Sequence, residues 1–96
     1  SGQRFYLSED GVNIGRDASL CQIIFPSDSV SVSRCHCNIK YNPADRTFLL
    51  VDLTSSNGTF LANGTKLEPK VPVALAPGSK FYLGDKENMF SVGTEG

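Results

Sequence analysis

The chain has no tryptophan, a single histidine, a single methionine and only three cysteines. Each scarcity excludes something. Lone His36 leaves no second imidazole for a histidine-rich metal site, and no Cys-x-x-Cys spacing occurs, so a zinc framework is not expected. Three cysteines cannot all pair. Cys35 and Cys37 stand two apart and would point the same way in a strand, so reduced, partly buried thiols of a cytoplasmic, reducing compartment are expected. Charge is nearly balanced at −1, whereas duplex-binding proteins carry a clustered basic face, so nucleic acid is not the expected partner. Apolar runs stop at Phe48-Leu49-Leu50-Val51, far short of a membrane span, and no secretory apolar region opens the chain.

What remains is turn-rich and β-patterned. Hydrophobic residues make up 40%, with nine glycines and five prolines, too apolar a composition for disorder. Ninety-six residues suit one domain, able to hide roughly two-thirds of its unfolded surface. Ser1-Gly2 reads as a tag remnant and Gly93-Thr94-Glu95-Gly96 as a cut edge, so residues 1–96 are expected to form a single, monomeric domain taken from a longer protein.

Period-two runs and turn signals alternate throughout, and no helical period is convincing. Strands are predicted at Arg4–Leu7, Val12–Gly15, Gln22–Phe25, Cys35–Tyr41, Thr47–Asp52, Thr59–Leu61, Thr65–Leu67, Val71–Leu75, Lys80–Leu83 and Met89–Gly93. The fold class is all-β: a two-sheet β-sandwich of about 10–11 short, mainly antiparallel strands. Asn63-Gly64 signals a type I′ hairpin, Pro77-Gly78 a type II turn, and Pro43-Ala44-Asp45 another bend. Alternation turns Cys37, Ile39 and Tyr41 inward and Asn38 and Lys40 outward. Phe48, Leu50, Phe60, Phe81, Leu83, Phe90 and Val92 complete the expected core.

Three polar clusters sit at bends beside these strands, roughly twenty residues apart: Gly15-Arg16, Ser33-Arg34-Cys35-His36 and Ser56-Asn57-Gly58. A sandwich can gather such bends at one end. An arginine offers a planar fork of donors that binds phosphate oxygens bidentately. Serine adds a hydroxyl and a backbone N–H. Asparagine, with one donor and one acceptor group, can hold an extended peptide backbone.

The Gly-Arg turn, the Ser-x-x-His stretch and the Asn-Gly bend, in that order from about Val12 to Val92, resemble the forkhead-associated (FHA) family of phosphothreonine-binding domains. The resemblance implies a phosphopeptide-binding module with no catalytic residues, no metal and no cofactor. It recognises a threonine-phosphorylated partner, the product of a serine/threonine kinase. Arg16 and Ser33 would hold phosphate, with Ser56 within reach of it. Arg34 adds a second positive contact, an exposed solvated arginine being the alternative. Asn57 would clamp the peptide backbone, while Gly15, His36 and Gly58 support the loops. Of Ser29, Ser31 and Ser33, only Ser33 has a histidine three residues on.

Other readings are weaker. Ser33 or Cys35 beside His36 rarely presents nucleophile and base in line. Cys21, Cys35, His36 and Cys37 cannot readily face one ion from a strand. Asn57 and Asn63 open formal glycosylation sequons, but a glycan on Asn57 would block the proposed site. A phosphate-independent scaffold of the same family is the main alternative.

Overall fold

Short β-branched and aromatic runs separated by Gly, Pro, Asn and Asp leave the chain little choice but pleated strands joined by tight turns. The computed structural model describes residues 7 and 10–93. Among them run eight strands: β1 (Val12–Gly15), β2 (Ile23–Ile24), β3 (Cys37–Asn42), β4 (Thr47–Asp52), β5 (Thr59–Leu61), β6 (Val73–Leu75), β7 (Lys80–Leu83) and β8 (Met89–Ser91). They form a five-stranded sheet, β2-β1-β3-β4-β6, and a three-stranded sheet, β5-β7-β8. All pairings are antiparallel except β1 with β2.

Period two decides what each strand buries. In β3 and β4 the pairs Ile39–Leu50 and Tyr41–Phe48 face the second sheet, while Asn38–Val51 and Lys40–Leu49 face away. Ile14, Ile39, Leu50 and Leu75 from the larger sheet meet Phe81 and Leu83 from the smaller one in a continuous core, which also takes in Val32, Leu67 and Val92. The fold is the all-β sandwich expected from the pattern.

Several details differ from the expectation. The segment expected as Arg4–Leu7 lies outside the described residues except Leu7, which packs on the core without strand pairing. Thr65–Leu67 reduces to a single bridge, Phe60 with Lys66. Phe60 is not core: the Thr59 side chain takes the inward position of β5, so Phe60 points out and stacks on Tyr82, with ring centroids 5.1 Å apart. The Asn63-Gly64 turn is not type I′, because only Gly64 has positive φ, at 92°. Gly64 N–H instead closes onto Leu61 C=O at 2.8 Å, the type I turn plus glycine bulge of three-residue hairpins. Pro77-Gly78 does form the expected type II turn, with Gly78 at φ 94° and Ser79 N–H donating to Ala76 C=O. A 3-10 turn at Lys86–Asn88, capped by the Asp85 side chain, has no apolar period to announce it.

Leu50 has no exposed surface and lies on β4, paired with Ile39 of β3 and Val73 of β6. Leu50→Ala is therefore expected to cost about 2–5 kcal/mol, read as a lower midpoint in urea unfolding; a change below half a kcal/mol would contradict this core.

Candidate functional site

Gly15 ends β1 where the chain passes directly beneath the Ser33–Arg34 backbone. A Cβ at Gly15 would collide with the Arg34 carbonyl oxygen, so only glycine allows the approach. That closeness lets Arg16 N–H donate to Ser33 C=O at 3.1 Å and Asp17 N–H to Arg34 C=O at 2.9 Å. The first two clusters are thereby bound together by their backbones.

His36 joins the second cluster to the third. Its ring has no exposed surface. Nδ1 accepts from Ser33 N–H at 3.0 Å, and Nε2 lies 2.8 Å from Gly58 C=O. An acceptor at Nδ1 and a donor at Nε2 define the neutral Nε2–H tautomer. Burial holds its pKa below the usual histidine value, against smaller opposing contributions from Gly58 and the Asp52 carboxylate. The ring thus ties the Ser33 loop to the Gly58 loop. One expectation is corrected: Ser33 N–H is committed to His36 and does not face an anion, so Ser33 offers its hydroxyl.

The third cluster hangs on a residue that pattern reading passed over. Asp52 ends β4 and is 2% exposed. One carboxylate oxygen accepts from the hydroxyls of Ser55 and Thr59, the other from Ser55 N–H at 3.1 Å. Ser55 Oγ in turn accepts from Gly58 N–H at 3.0 Å. A buried carboxylate is tolerated when hydrogen-bonded in this way. The only sequence signal was the Asp-x-x-Ser spacing with a threonine beyond. Thr54, inside this loop, holds a left-handed φ of 62°, a strained backbone of the kind that gathers at functional loops.

Arg16, Ser33, Arg34 and Ser56 line one open cleft of about 460 Å³, together with Leu20, Cys35 and Thr54. All four residues expected to bind phosphate therefore share one surface. Ser56 N–H donates to Ser33 Oγ at 3.0 Å, which occupies a lone pair and leaves the Ser33 hydroxyl proton free to point into the cleft. Arg16 also braces the neighbouring loop: Nε donates to Val32 C=O and Nη1 to Ser27 C=O at 2.9 Å. Two of its five N–H groups are thus engaged, and the remainder have no partner among the described residues. Asn57 stands beside the cleft without lining it, its Nδ2 donating to Val30 C=O at 3.3 Å and its Oδ1 without a partner among the described residues. Gly58 lies beneath, at φ 90°.

The three cysteines are free. Cys37 is sealed in the core and burial raises its pKa well above the usual thiol value. The buried Cys21 thiol, donating to Arg34 C=O at 3.2 Å, is pushed up to about 11, mainly by burial and then by neighbouring Cys35. Cys35 is half-buried at the cleft wall. Among the described residues no cluster of histidine, cysteine and acidic side chains has the arrangement of a metal site, and no helix is long and apolar enough to cross a membrane.

The family model for the FHA domain matches residues 12–84. The human nuclear inhibitor of protein phosphatase 1 is 32% identical over 78 residues, which cover 81% of this chain and 21% of that protein. The chain thus spans about a fifth of the length of that curated relative. Among solved structures, the FHA domain of the CT664 protein from Chlamydia trachomatis superposes with a TM-score of 0.81 at 29% identity, covering 99% of this chain and 88% of that one. The N-terminal FHA domain of S. cerevisiae Rad53p, solved in complex with a phosphothreonine peptide, superposes with a TM-score of 0.64 at 28% identity, over 82% of this chain and 61% of that one.

Burial favours the neutral ring of His36, so its folded pKa lies below its unfolded value. Its contribution to stability is therefore complete above about pH 6.5 and declines as pH falls through that value toward the lowered folded one. Because the chain has one histidine, proton NMR reads the ring without ambiguity. The titration midpoint is expected below 6.5, with nitrogen shifts of the Nε2–H tautomer; a midpoint at or above 6.5 would refute the buried neutral bridge.

Proposed function

The chain belongs to the FHA family, and we propose that it binds a threonine-phosphorylated segment of a partner protein at the cleft of Arg16, Ser33, Arg34 and Ser56. The observation that carries this reading is the convergence of uncommitted donors. Arg16 and Arg34 bring two guanidinium groups, and Ser33 and Ser56 bring two hydroxyls, all onto one concave surface. Hydrogen bonds to a charged group contribute about 1.5–3 kcal/mol each. Arg16 is the main anchor, because its fork is oriented by Val32 and Ser27 before any ligand arrives.

Asn57 acts on the peptide backbone rather than on the phosphate. Its free Oδ1 and remaining amide proton offer an acceptor and a donor to an extended chain. Gly15, His36, Asp52 and Gly58 are supports. The bound solved relative, whose ligand is a phosphothreonine peptide, supports the ligand class. A preference for threonine over serine rests on the family resemblance; a pocket enclosing the γ-methyl would contribute roughly 0.8 kcal/mol, about fourfold. The domain's role is recognition without chemistry, in kinase-dependent signalling or assembly, and the three free thiols suit a reducing, cytoplasmic setting.

Calorimetry with a phosphothreonine peptide and its unphosphorylated twin tests the reading. Arg16→Ala should weaken phosphopeptide binding on the order of a hundredfold or more, since at least two charge-assisted bonds are lost. It should also lower the melting temperature by a few degrees through the freed Ser27–Val32 loop. Arg16→Lys should restore part of the stability but not the bidentate affinity. Phosphate loses its second charge near pH 6, so affinity should fall between pH 7.5 and 5.5. Equal affinity for the phosphorylated and plain peptides would instead favour the phosphate-independent scaffold.

A further inference from the structure

The cleft is larger than its phosphate ligand. A phosphoryl group with the threonine oxygen and methyl contains six heavy atoms, on the order of 180 Å³ if each takes a water's share of about 30 Å³. The cleft is about 460 Å³. Its polar lining is Arg16, Arg34, Ser33 and Ser56, and its remaining wall is Leu20, Cys35 and Thr54. That wall offers an isobutyl group, a weakly donating thiol and the methyl and hydroxyl of Thr54, so Leu20 is its one purely apolar member.

Leu20 is 49% exposed, and an exposed leucine taken singly needs no explanation. This one is held rigidly. Its N–H donates to Asp17 C=O at 3.0 Å and its C=O accepts from Asn13 Nδ2 at 3.0 Å. Asn13 is oriented in turn by Asn38 Nδ2, 2.8 Å from its Oδ1, while the next residue, Cys21, is anchored in the interior. The Asp17 side chain closes the same turn by accepting from Ser19 N–H and Oγ. A side chain on a fixed backbone loses little freedom on contact, so burial there converts efficiently into affinity. The wall belongs to the same cleft as the proposed phosphate site, whereas Asn57 does not line it and holds to Val30.

We propose that Leu20, with Cys35 and Thr54, forms a subsite for an apolar side chain within two residues of the phosphothreonine, making Leu20 a specificity-determining residue. The proposal rests on the phosphothreonine reading and deepens it. Burying an aliphatic side chain against a leucine is worth about five- to tenfold in affinity. A glycine at the same peptide position gains none of this, and an acidic side chain there would desolvate against the wall.

The test is a phosphothreonine peptide library randomised at two positions on each side, followed by fluorescence anisotropy on the selected peptide and its glycine counterpart. The wild type is expected to select aliphatic or aromatic residues at one position and to prefer the selected peptide five- to tenfold over the glycine version. In Leu20→Ser that ratio should fall below twofold, with the melting temperature confirming an intact fold. Leu20→Met should retain it. Selection that is unchanged in Leu20→Ser, or no apolar preference in the wild type, overturns this subsite while leaving phosphothreonine binding in place. A library from which the wild type enriches no phosphothreonine peptide overturns both.

Discussion

The buried imidazole of His36 is the contact on which the ligand face depends. It accepts from Ser33 N–H and donates to Gly58 C=O, and Gly58 lies twenty-two residues beyond the histidine, in a separate loop. Without it, the part-buried Ser33 N–H would lose its acceptor, at about 1–3 kcal/mol if left unsatisfied, while Gly58 C=O would keep only Gly84 N–H at 2.9 Å. The larger effect is geometric. Ser33 and the Ser56–Asn57 bend rest on either side of one rigid ring, so their spacing is set by the imidazole rather than by loop flexibility.

A second layer makes that bridge possible. Asp52 gathers the Ser55 and Thr59 hydroxyls beneath the third loop, and Ser55 passes the connection to Gly58 N–H. Gly58 therefore has its N–H fixed from the Asp52 side and its C=O fixed by His36. Replacing either buried polar group by an apolar one would strand the other's partners, which is why such networks tend to hold all members or none. The strained φ of Thr54 is tolerated because this network determines the loop around it.

Strand positions were legible because period two is written into each short run: β1, β4, β5 and β7 begin and end where the alternation predicts. The faces were less legible. Phe60 looked like core by residue type, yet the buried hydroxyl of Thr59 claims the inward side of β5, and a pleat cannot bury both. The Asn63-Gly64 turn was misread because its length depends on pairing beyond the bend, Leu61 with Thr65, which two residues cannot reveal. For the site, Arg16, Ser33, Arg34 and Ser56 were readable as a set and share one cleft. Asp52, Thr54, Leu20 and Cys35 were not, because their roles come from tertiary neighbours and not from their own spacing. Ser33 N–H was assigned to the wrong acceptor for the same reason: the geometry of the histidine three residues later decides it.

On the proposed reading, the division between engaged and free groups favours a tetrahedral phosphate over a planar carboxylate. Three backbone N–H groups of these loops are already committed: Ser33 to His36, Ser56 to the Ser33 hydroxyl, Gly58 to Ser55. The cleft gathers side-chain hydrogen-bonding capacity from separate segments of the chain, Arg16 and Arg34 with Ser33 and Ser56. A planar carboxylate presents two oxygens in one plane and would leave part of that set unmatched. A tetrahedral phosphate monoester presents three terminal oxygens and close to two charges at neutral pH, enough to engage guanidinium and hydroxyl donors from different directions at once. Because the supporting bonds are complete without ligand, binding need not order the loops, and the entropy that a flexible site would lose is already accounted for in folding.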